Sequence, residues 1–208
     1  MSPREIRLLA IGGVFGPLAF VTAWVTAGTA APRYSPIGDA ISDLASTHAN
    51  TRVGMTLGFV GFGLGVIAFG LALRAAGAGP AWKAAVATAC FTLAVAATPL
   101  GAPTRDVIHG TFAALGYLTL AAVPYLAAGP LARAGRPGWA RYSSGTAAGA
   151  AACLVATALG PAHGLLQRLG LTTGDLWLVL VAGQLLRGRD LFGPLPATTP
   201  SSPFESEP

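Results

Sequence analysis

The stretch Tyr34-Ser-Pro-Ile-Gly-Asp-Ala-Ile-Ser-Asp-Leu-Ala45 is a polar segment between two long apolar runs, residues 8–27 and 53–73. Each run is long enough to cross the roughly 30 Å hydrocarbon core of a bilayer as an α-helix. The polar segment, which we call the connector, therefore joins two predicted membrane spans. We expect it to lie at the membrane interface, as the floor or lid of a site.

The connector has the sequence features of an amphipathic helix. Ser35 is a suitable N-cap, and Pro36 would occupy the first helical position. Helical spacing places Asp39, Ser42 and Asp43 on one face and the apolar side chains on the other. We predict that this polar face points toward a pocket.

The composition of the chain is that of a membrane protein. Of its 208 residues, 53% are hydrophobic and only 10% are charged, whereas soluble domains carry about 25% charged residues. The formal net charge of +5 comes from basic residues scattered singly at the ends of apolar runs. This distribution argues against nucleic-acid binding and indicates the lipid bilayer as the main partner.

Six apolar stretches are long enough to span a bilayer. We predict an all-α fold, a polytopic six-helix membrane bundle with short interfacial helices on its outer face. The membrane domain would cover residues 1–190, and residues 191–208, rich in Pro, Ser and Thr, would form a disordered cytoplasmic tail. The predicted spans are residues 8–27, 53–73, 84–100, 107–126, 145–159 and 170–186.

The distribution of Lys and Arg between alternate loops predicts the orientation of these spans. Nine basic residues fall on one side and four on the other, which together make the 13 of the chain. The side richer in Lys and Arg normally faces the cytoplasm, so both termini are expected there. The four basic residues on the outer side are Arg33, Arg52, Arg105 and Arg168.

All three histidines fall on the predicted outer side, together with four aspartates. They lie in outer loops or at the outer ends of predicted spans. No ionisable residue is expected near the middle of any span. The outer set consists of His48, His109, His163, Asp39, Asp43, Asp106 and Asp175.

Asp106 and His109 open the fourth span within Pro103-Thr-Arg-Asp-Val-Ile-His-Gly110. Thr104 is the expected helix cap, and a carboxylate in the first turn is favoured by the helix dipole, which is a purely structural role. The three-residue spacing also places Asp106 beside His109 on one helix face. An aspartate in that position can orient the imidazole or share a metal with it.

A third polar motif, Gly160-Pro-Ala-His-Gly-Leu-Leu-Gln-Arg168, precedes the last span. Its proline is expected to start a second interfacial helix that carries His163 and Gln167 on one face. Arg168 can pair with Asp43, with Asp106 or with a lipid phosphate. Trp177, further along, is expected to anchor the span in the interface.

Together the three motifs predict one outer-face site. The candidate catalytic residues are Ser42, Asp43, Asp106, His109 and His163. The candidate substrate-binding residues are Tyr34, Gln167 and Arg168. In a metal-dependent form, His109, His163 and Asp106 would hold zinc or another divalent cation that activates water. In a metal-free form, His109 would be a general base oriented by Asp106.

Residues from all three motifs carry a resemblance to a known family. They are Pro36 with Ile41-Ser42-Asp43-Leu44, Asp106-x-x-His109, His163-x-x-x-Gln167-Arg168 and Trp177. Over about residues 6–186, the chain resembles the prokaryotic membrane family catalogued as domain of unknown function 998 (DUF998). The resemblance implies six membrane helices in a prokaryotic cytoplasmic membrane and assigns no activity.

There is also a fainter similarity to the ceramidase and progestin-receptor-like membrane hydrolases. Those proteins gather Ser, Asp and three His around zinc. This chain departs from them because it has six predicted spans instead of seven, and no H-x-x-x-H on its last helix.

Three classes of function are open on the sequence alone. The first is a hydrolase or lipid-modifying enzyme, with or without a metal, that acts on an amphiphile at the outer face. The second is a small-solute or proton transporter or sensor, which normally carries ionisable groups or broken helices near the bilayer midplane. The third is a structural membrane protein whose outer residues form a hydrogen-bonded cap.

Overall fold

Helices form most of residues 1–193, the part of the chain that this computed structural model describes. The predicted all-α membrane bundle is confirmed. The predicted tail lies outside the described residues from position 194 onward. In chain order the elements are α1 (Pro3–Ala10), α2 (Gly12–Ala30), a 3₁₀ helix (Ile41–Ala45), α3 (Arg52–Ala75), α4 (Ala81–Ala97), α5 (Pro103–Arg133), α6 (Pro137–Ala156) and α7 (His163–Leu186).

The two N-terminal helices act as one membrane-length element. Ile11 between them keeps helical backbone angles, φ −53° and ψ −35°, so α1 runs directly into α2. The start of α1 is fixed by a reciprocal cap, in which the Ser2 N–H donates to the Glu5 carboxylate at 2.7 Å and the Glu5 N–H to the Ser2 hydroxyl at 3.3 Å. The described residues therefore form six helical rods.

Four of these rods are long and apolar enough to cross a membrane: Pro3–Ala30, Arg52–Ala75, Pro103–Arg133 and His163–Leu186. The apolar helix Ala81–Ala97 is shorter. Large apolar side chains cover the outside of the bundle, where a bilayer would solvate them. The most exposed of them on the helix flanks include Leu18, Leu57, Leu64, Leu118 and Val155. The chain is thus an integral membrane protein.

The helices pack as a closed ring. Each helix from α2 onward packs against the next one in the chain, and α7 closes the ring by packing on α2. The backbones of α2 and α3 approach closely at Gly12 and Gly65, since a Cβ on Gly65 would lie 2.7 Å from the Gly12 carbonyl oxygen. Only glycine fits there, because the obstructing atoms belong to backbone and cannot move aside.

The two ends of the bundle differ in character. Arg7 lies beside Gly188, so the beginning of the chain and the end of α7 meet at one end. The connector, the loop 98–102 and the first residue of α7, His163, lie at the other end, which we call the site end. Which end faces the cytoplasm stays a prediction.

The start of α7 differs from the prediction. The helix begins at His163 and continues to Leu186, so the predicted second interfacial helix is wrong and its residues form the first turns of α7. The polar His163, Gln167 and Arg168 lie just before residue 170, which is why the sequence predicts a separate interfacial helix there and a span that starts at residue 170. With the true start, Asp175 lies near the midpoint of this 24-residue helix.

Candidate functional site

The connector is not the continuous helix that its sequence predicts. Turns cover residues 36–38, and only Ile41–Ala45 forms a 3₁₀ helix. The Asp39 carboxylate accepts the Ser35 N–H at 2.7 Å, and the Asp43 carboxylate accepts the Ala40 N–H at 2.9 Å. Such local side-chain bonds compete with α-helical ones, which explains why Ser35 does not cap a helix.

The connector folds over the site end and is bonded to α7. The Ile41 N–H donates to the Gln167 side-chain oxygen at 2.8 Å, and the Leu165 N–H donates to the Ile37 carbonyl at 3.1 Å. The connector's own Ile41 and Leu44 side chains are fully buried against the bundle. The connector, predicted as the floor or lid of a site, thus lies over the start of α7, near Arg168.

Arg168 is the main anchor of the connector. One guanidinium nitrogen, Nη1, donates to the carbonyls of Pro36 at 2.7 Å, Asp39 at 3.0 Å and Gly164 at 2.8 Å. The other, Nη2, donates to the Tyr34 hydroxyl. The side chain is only 6% exposed. A buried cation that bonds three carbonyls fixes their relative positions, because each bond lost would leave a desolvated polar group.

The surroundings of Arg168 differ from those expected. Its guanidinium lies 5.4 Å from the ring centroids of both Trp24 and Tyr34, within cation–π range. Its hydrogen bonds go to carbonyls and a phenol, and the expected pairing with Asp43 or Asp106 is wrong. The structure therefore places Arg168 as a positioning residue.

Tyr34 belongs to the same anchor. Its hydroxyl donates to the Ala40 carbonyl at 3.0 Å and accepts from Arg168. Burial raises the pKa of this phenol, and the Arg168 guanidinium offsets part of that rise. Tyr34 is therefore neutral near pH 7 and acts as a donor within the connector.

Asp43 lies in a cleft on the outside of the connector, apart from the cavity described below. The cleft is also lined by Tyr34, Asp39 and His48. Asp43 is an exposed residue, but partial desolvation in the cleft raises the pKa of its carboxyl, and the Ala40 N–H bond opposes that rise. Smaller electrostatic effects come from nearby Asp39 and from the imidazoles of His163 and His109.

The raised pKa of Asp43 predicts a pH-dependent stability. The folded protein binds this proton more readily than the unfolded chain, whose pKa is near 3.8. The ionised Asp43 carboxylate thus lowers the free energy of unfolding at neutral pH. This penalty disappears as the pH falls to the ordinary pKa of an aspartate, because the carboxyl is then protonated in the folded state. We expect Asp43→Asn to melt at a higher temperature than wild type near about pH 7, with the difference fading toward about pH 4. A pH-independent difference would contradict this assignment.

His109 is a buried histidine in which one ring nitrogen is hydrogen-bonded and the other has no partner among the described residues. The ring is 3% exposed, and Nδ1 lies 2.7 Å from the backbone carbonyl oxygen of Thr98. A carbonyl only accepts, so Nδ1 must carry the proton, and the neutral ring then has Nε2 as an acceptor. Within the described residues, Nε2 has no hydrogen-bond partner.

Asp106 does not orient His109 as the spacing predicted. Its carboxylate accepts the N–H groups of Gly101 at 2.8 Å and Ala102 at 3.3 Å, closing the start of α5. The N-cap position is Ala102, so the prediction that Thr104 caps the helix is also wrong. The orienting group is the Thr98 carbonyl, left free where α4 ends.

An internal cavity runs from beneath the connector into the middle of the bundle, between α2, α3, α4, α5 and α7. Its volume is about 50 Å³, counted as the space that the centres of water molecules can occupy. A cavity of this size holds a few water molecules, since each needs about 10–15 Å³. Ser42 and His109 lie at the site end. Its polar lining also includes Thr88, Thr92, Tyr117, Gln167 and Asp175.

Gln167 closes one wall of the cavity. Its side-chain amide donates to the Tyr117 hydroxyl, and its oxygen accepts the Ile41 N–H at 2.8 Å. One side chain on α7 thus joins the connector to α5. The remaining capacity of Gln167 to bind a ligand is small, because both ends of the amide are engaged.

Asp175 is the residue that sequence reasoning misplaced. It is 3% exposed and lines the cavity, and neither carboxylate oxygen has a hydrogen-bond partner among residues 1–193. It lies about 18 Å along α7 from His163. The expectation that no span carries an ionisable residue near its middle is therefore wrong. Ionisable groups at this depth are expensive and usually functional.

A groove on the lipid-facing surface adjoins this cavity. It lies between α5 and α6 and has a volume of about 630 Å³, counted in the same way as that of the cavity. Small and aliphatic side chains such as Ala121, Ala151 and Leu154 line most of it. The groove and the cavity share five lining residues: Ser42, His109, Ala113, Tyr117 and Gln167. The walls of the two spaces therefore meet around His109.

The sequence profile of one family covers all of these cavity residues. The family model described as "Protein of unknown function (DUF998)" matches residues 14–184. The chain belongs to the DUF998 family. The match confirms the resemblance seen in the three motifs, and the family description names no activity. No curated protein and no solved structure matches the chain.

The residues proposed for a metal do not converge in this DUF998 chain. Within residues 1–193, no group of three or more His, Cys, Asp or Glu side chains is close enough to hold a metal ion. His163 begins α7 but lines neither the cavity nor the groove, and Asp106 is held by backbone N–H groups. The geometry gives a zinc site no ligand set there.

Five of the eight sequence-predicted site residues thus fall into two groups, and Asp43, Asp106 and His163 belong to neither. Ser42, His109 and Gln167 line the cavity of the DUF998 chain. Tyr34 and Arg168 hold the connector in place above it. Trp177, the expected interface anchor, is instead fully buried and donates to the Ser143 hydroxyl on α6 at 2.8 Å.

Proposed function

We propose that this membrane protein binds an amphiphile in the groove between α5 and α6 and acts on the polar end of that molecule with His109 as general base. The observation that carries the proposal is the position of the His109 ring. It lines both the apolar groove and the internal cavity, with Nε2 unpaired among the described residues.

The chemistry follows from the tautomer of His109. The Thr98 carbonyl holds the proton on Nδ1, so Nε2 can take a proton from an attacking water or from the Ser42 hydroxyl. The imidazolium then returns that proton to the leaving group, and if water was the attacking group the hydrolysis is complete. If Ser42 attacks, the transferred group stays on the Ser42 oxygen until a water or another acceptor, deprotonated in turn by His109, displaces it and Ser42 recovers its proton. This form needs no metal, and it is preferred because the described acidic and histidine side chains do not gather into a ligand set.

The groove suits an acyl or alkyl chain. Its wall consists mostly of Ala and Leu side chains on α5 and α6, and its polar residues are concentrated toward the site end. A bilayer amphiphile could enter it sideways, with its chain along the helices and its polar end at Ser42 and His109. The predicted outer-leaflet location of the site fits such a ligand.

The experiment is to purify the protein in its native lipid, extract the bound amphiphile and identify it by mass spectrometry. Ala151→Trp should fill the groove and lower the amount of the retained species about tenfold, since it removes the space for a chain. Ala152→Trp is the matched control, because Ala152 is exposed and does not line the groove. Equal retention by both variants would contradict the proposal.

A second function is favoured by a specific observation, the location of Asp175 halfway along α7. A carboxylate at that depth is typical of proteins that move protons or solutes. Flux of protons or solute through wild-type liposomes, lost in Asp175→Asn but kept in His109→Gln, would favour transport over catalysis.

A further inference from the structure

The inner end of the cavity contains a carboxylate with no internal partner. Both oxygens of Asp175 are buried without a hydrogen bond from the described residues. The two threonine hydroxyls of α4 that line the cavity are already engaged, because Thr88 donates to the Ala84 carbonyl and Thr92 to the Thr88 carbonyl, each at 2.9 Å. Asp175 therefore needs a donor or a cation that the described chain does not supply.

The wall of the same cavity is aromatic. Phe20 packs against Phe59 and Phe62 with ring centroids 5.6 and 5.5 Å apart, and all three line the cavity. Phe112 and Tyr117 also line it. Aromatic faces attract cations, most strongly where water is excluded.

The charges that line the cavity also favour a positively charged ligand. Among the described residues that line it, His109 at the site end is the one side chain that can carry a positive charge. Asp175 lies at the other end, near the middle of α7. A hard metal cation is a poor fit, because such ions take six or more oxygen ligands and this wall is mostly hydrocarbon.

We propose that the inner end of the cavity binds the ammonium group of an organic amine, with Asp175 as its counter-ion and the rings of Phe20, Phe59 and Phe62 beside it. This inference rests on the proposed function, because it names the substrate class as amphiphiles whose polar end passes His109 and ends in a cationic amine that reaches Asp175 through the same cavity. The small cavity volume, about 50 Å³ for water centres, favours a primary ammonium group over a bulkier quaternary one.

The test uses the full chain in phosphatidylcholine nanodiscs and two probes of equal chain length, octylamine, which is cationic at neutral pH, and 1-octanol. Wild type should bind octylammonium at least about tenfold more tightly than 1-octanol, measured by calorimetry against empty nanodiscs. Asp175→Asn keeps the side-chain shape and should abolish this preference. Asp190→Asn removes a carboxylate at the opposite end of the bundle, where it bonds the Phe192 and Gly193 N–H groups, and should keep it.

Equal binding of the two probes to wild type would overturn the inference, as would an Asp175→Asn variant that keeps the preference. The wild-type comparison decides the matter even if Asp175→Asn does not fold. His109→Gln should lose turnover of the amphiphile and keep the octylammonium preference. Turnover without ammonium preference therefore overturns this inference alone, and ammonium preference without His109-dependent turnover overturns the proposed catalysis alone.

Discussion

Exchange of His109 for glutamine is expected to lower turnover of the bound amphiphile at least about 100-fold, because general base catalysis typically contributes that much or more. Glutamine can still donate to the Thr98 carbonyl and fill a similar volume, so the bundle should remain folded. It cannot take a proton at neutral pH and release it later in the cycle. The measurement is the initial rate of product formation in nanodiscs made from the lipid that mass spectrometry identifies.

The matched control for His109→Gln is His48→Gln. His48 also lies at the site end, but it lines the outer cleft with Asp39 and Asp43 and not the cavity. Its exchange should leave the rate within about twofold of wild type, as for surface substitutions in general. Equal rates for wild type and His109→Gln would remove His109 from the reaction.

Exchange of Arg168 for alanine is expected to lower the free energy of unfolding by about 3 kcal/mol, since it leaves one buried and two partly buried carbonyls without their charged donor. Three carbonyls and the Tyr34 hydroxyl lose their partner at once. The connector should then open locally before the helices separate. Denaturant unfolding measures the first effect, and faster amide hydrogen exchange at Ile41 measures the second.

Two further variants make the Arg168 result specific. Arg168→Lys keeps the charge but not the planar fork, so it should recover only part of the lost stability. Arg105→Ala removes an exposed arginine at the start of α5 and should change stability by less than about 0.5 kcal/mol. If Arg168→Ala and Arg105→Ala unfold alike, Arg168 does not anchor the connector.

The general fold could be predicted from the sequence because it depends on hydropathy and segment length, which can be read directly along the chain. Runs of apolar residues of bilayer length indicate membrane helices, and their number gave the six rods. The limits of individual helices were harder to predict. The start of α7 was misplaced because the polar His163, Gln167 and Arg168 resemble a separate interfacial segment, although they form the first turns of α7.

The candidate site could be predicted only in part, for a related reason. Ser42, His109 and Gln167 were found because polar side chains stand out near the ends of apolar runs, and the structure brings them to one cavity. Their roles stay predictions. The orienting partner of His109 could not be found, because the Thr98 carbonyl is backbone and has no signature in the sequence. Asp106 looked like the partner through spacing alone, yet backbone N–H groups occupy it.

The length of α4 has a consequence for the surrounding bilayer. With 17 residues it measures about 26 Å, several Å less than the hydrocarbon core, whereas the neighbouring α5 has 31 residues. Hydrophobic mismatch of this kind is relieved by local thinning of the membrane. We expect lipid headgroups to dip toward the end of α4, where the Thr98 carbonyl holds His109, so that the bilayer itself would bring polar lipid groups down to the depth of the site.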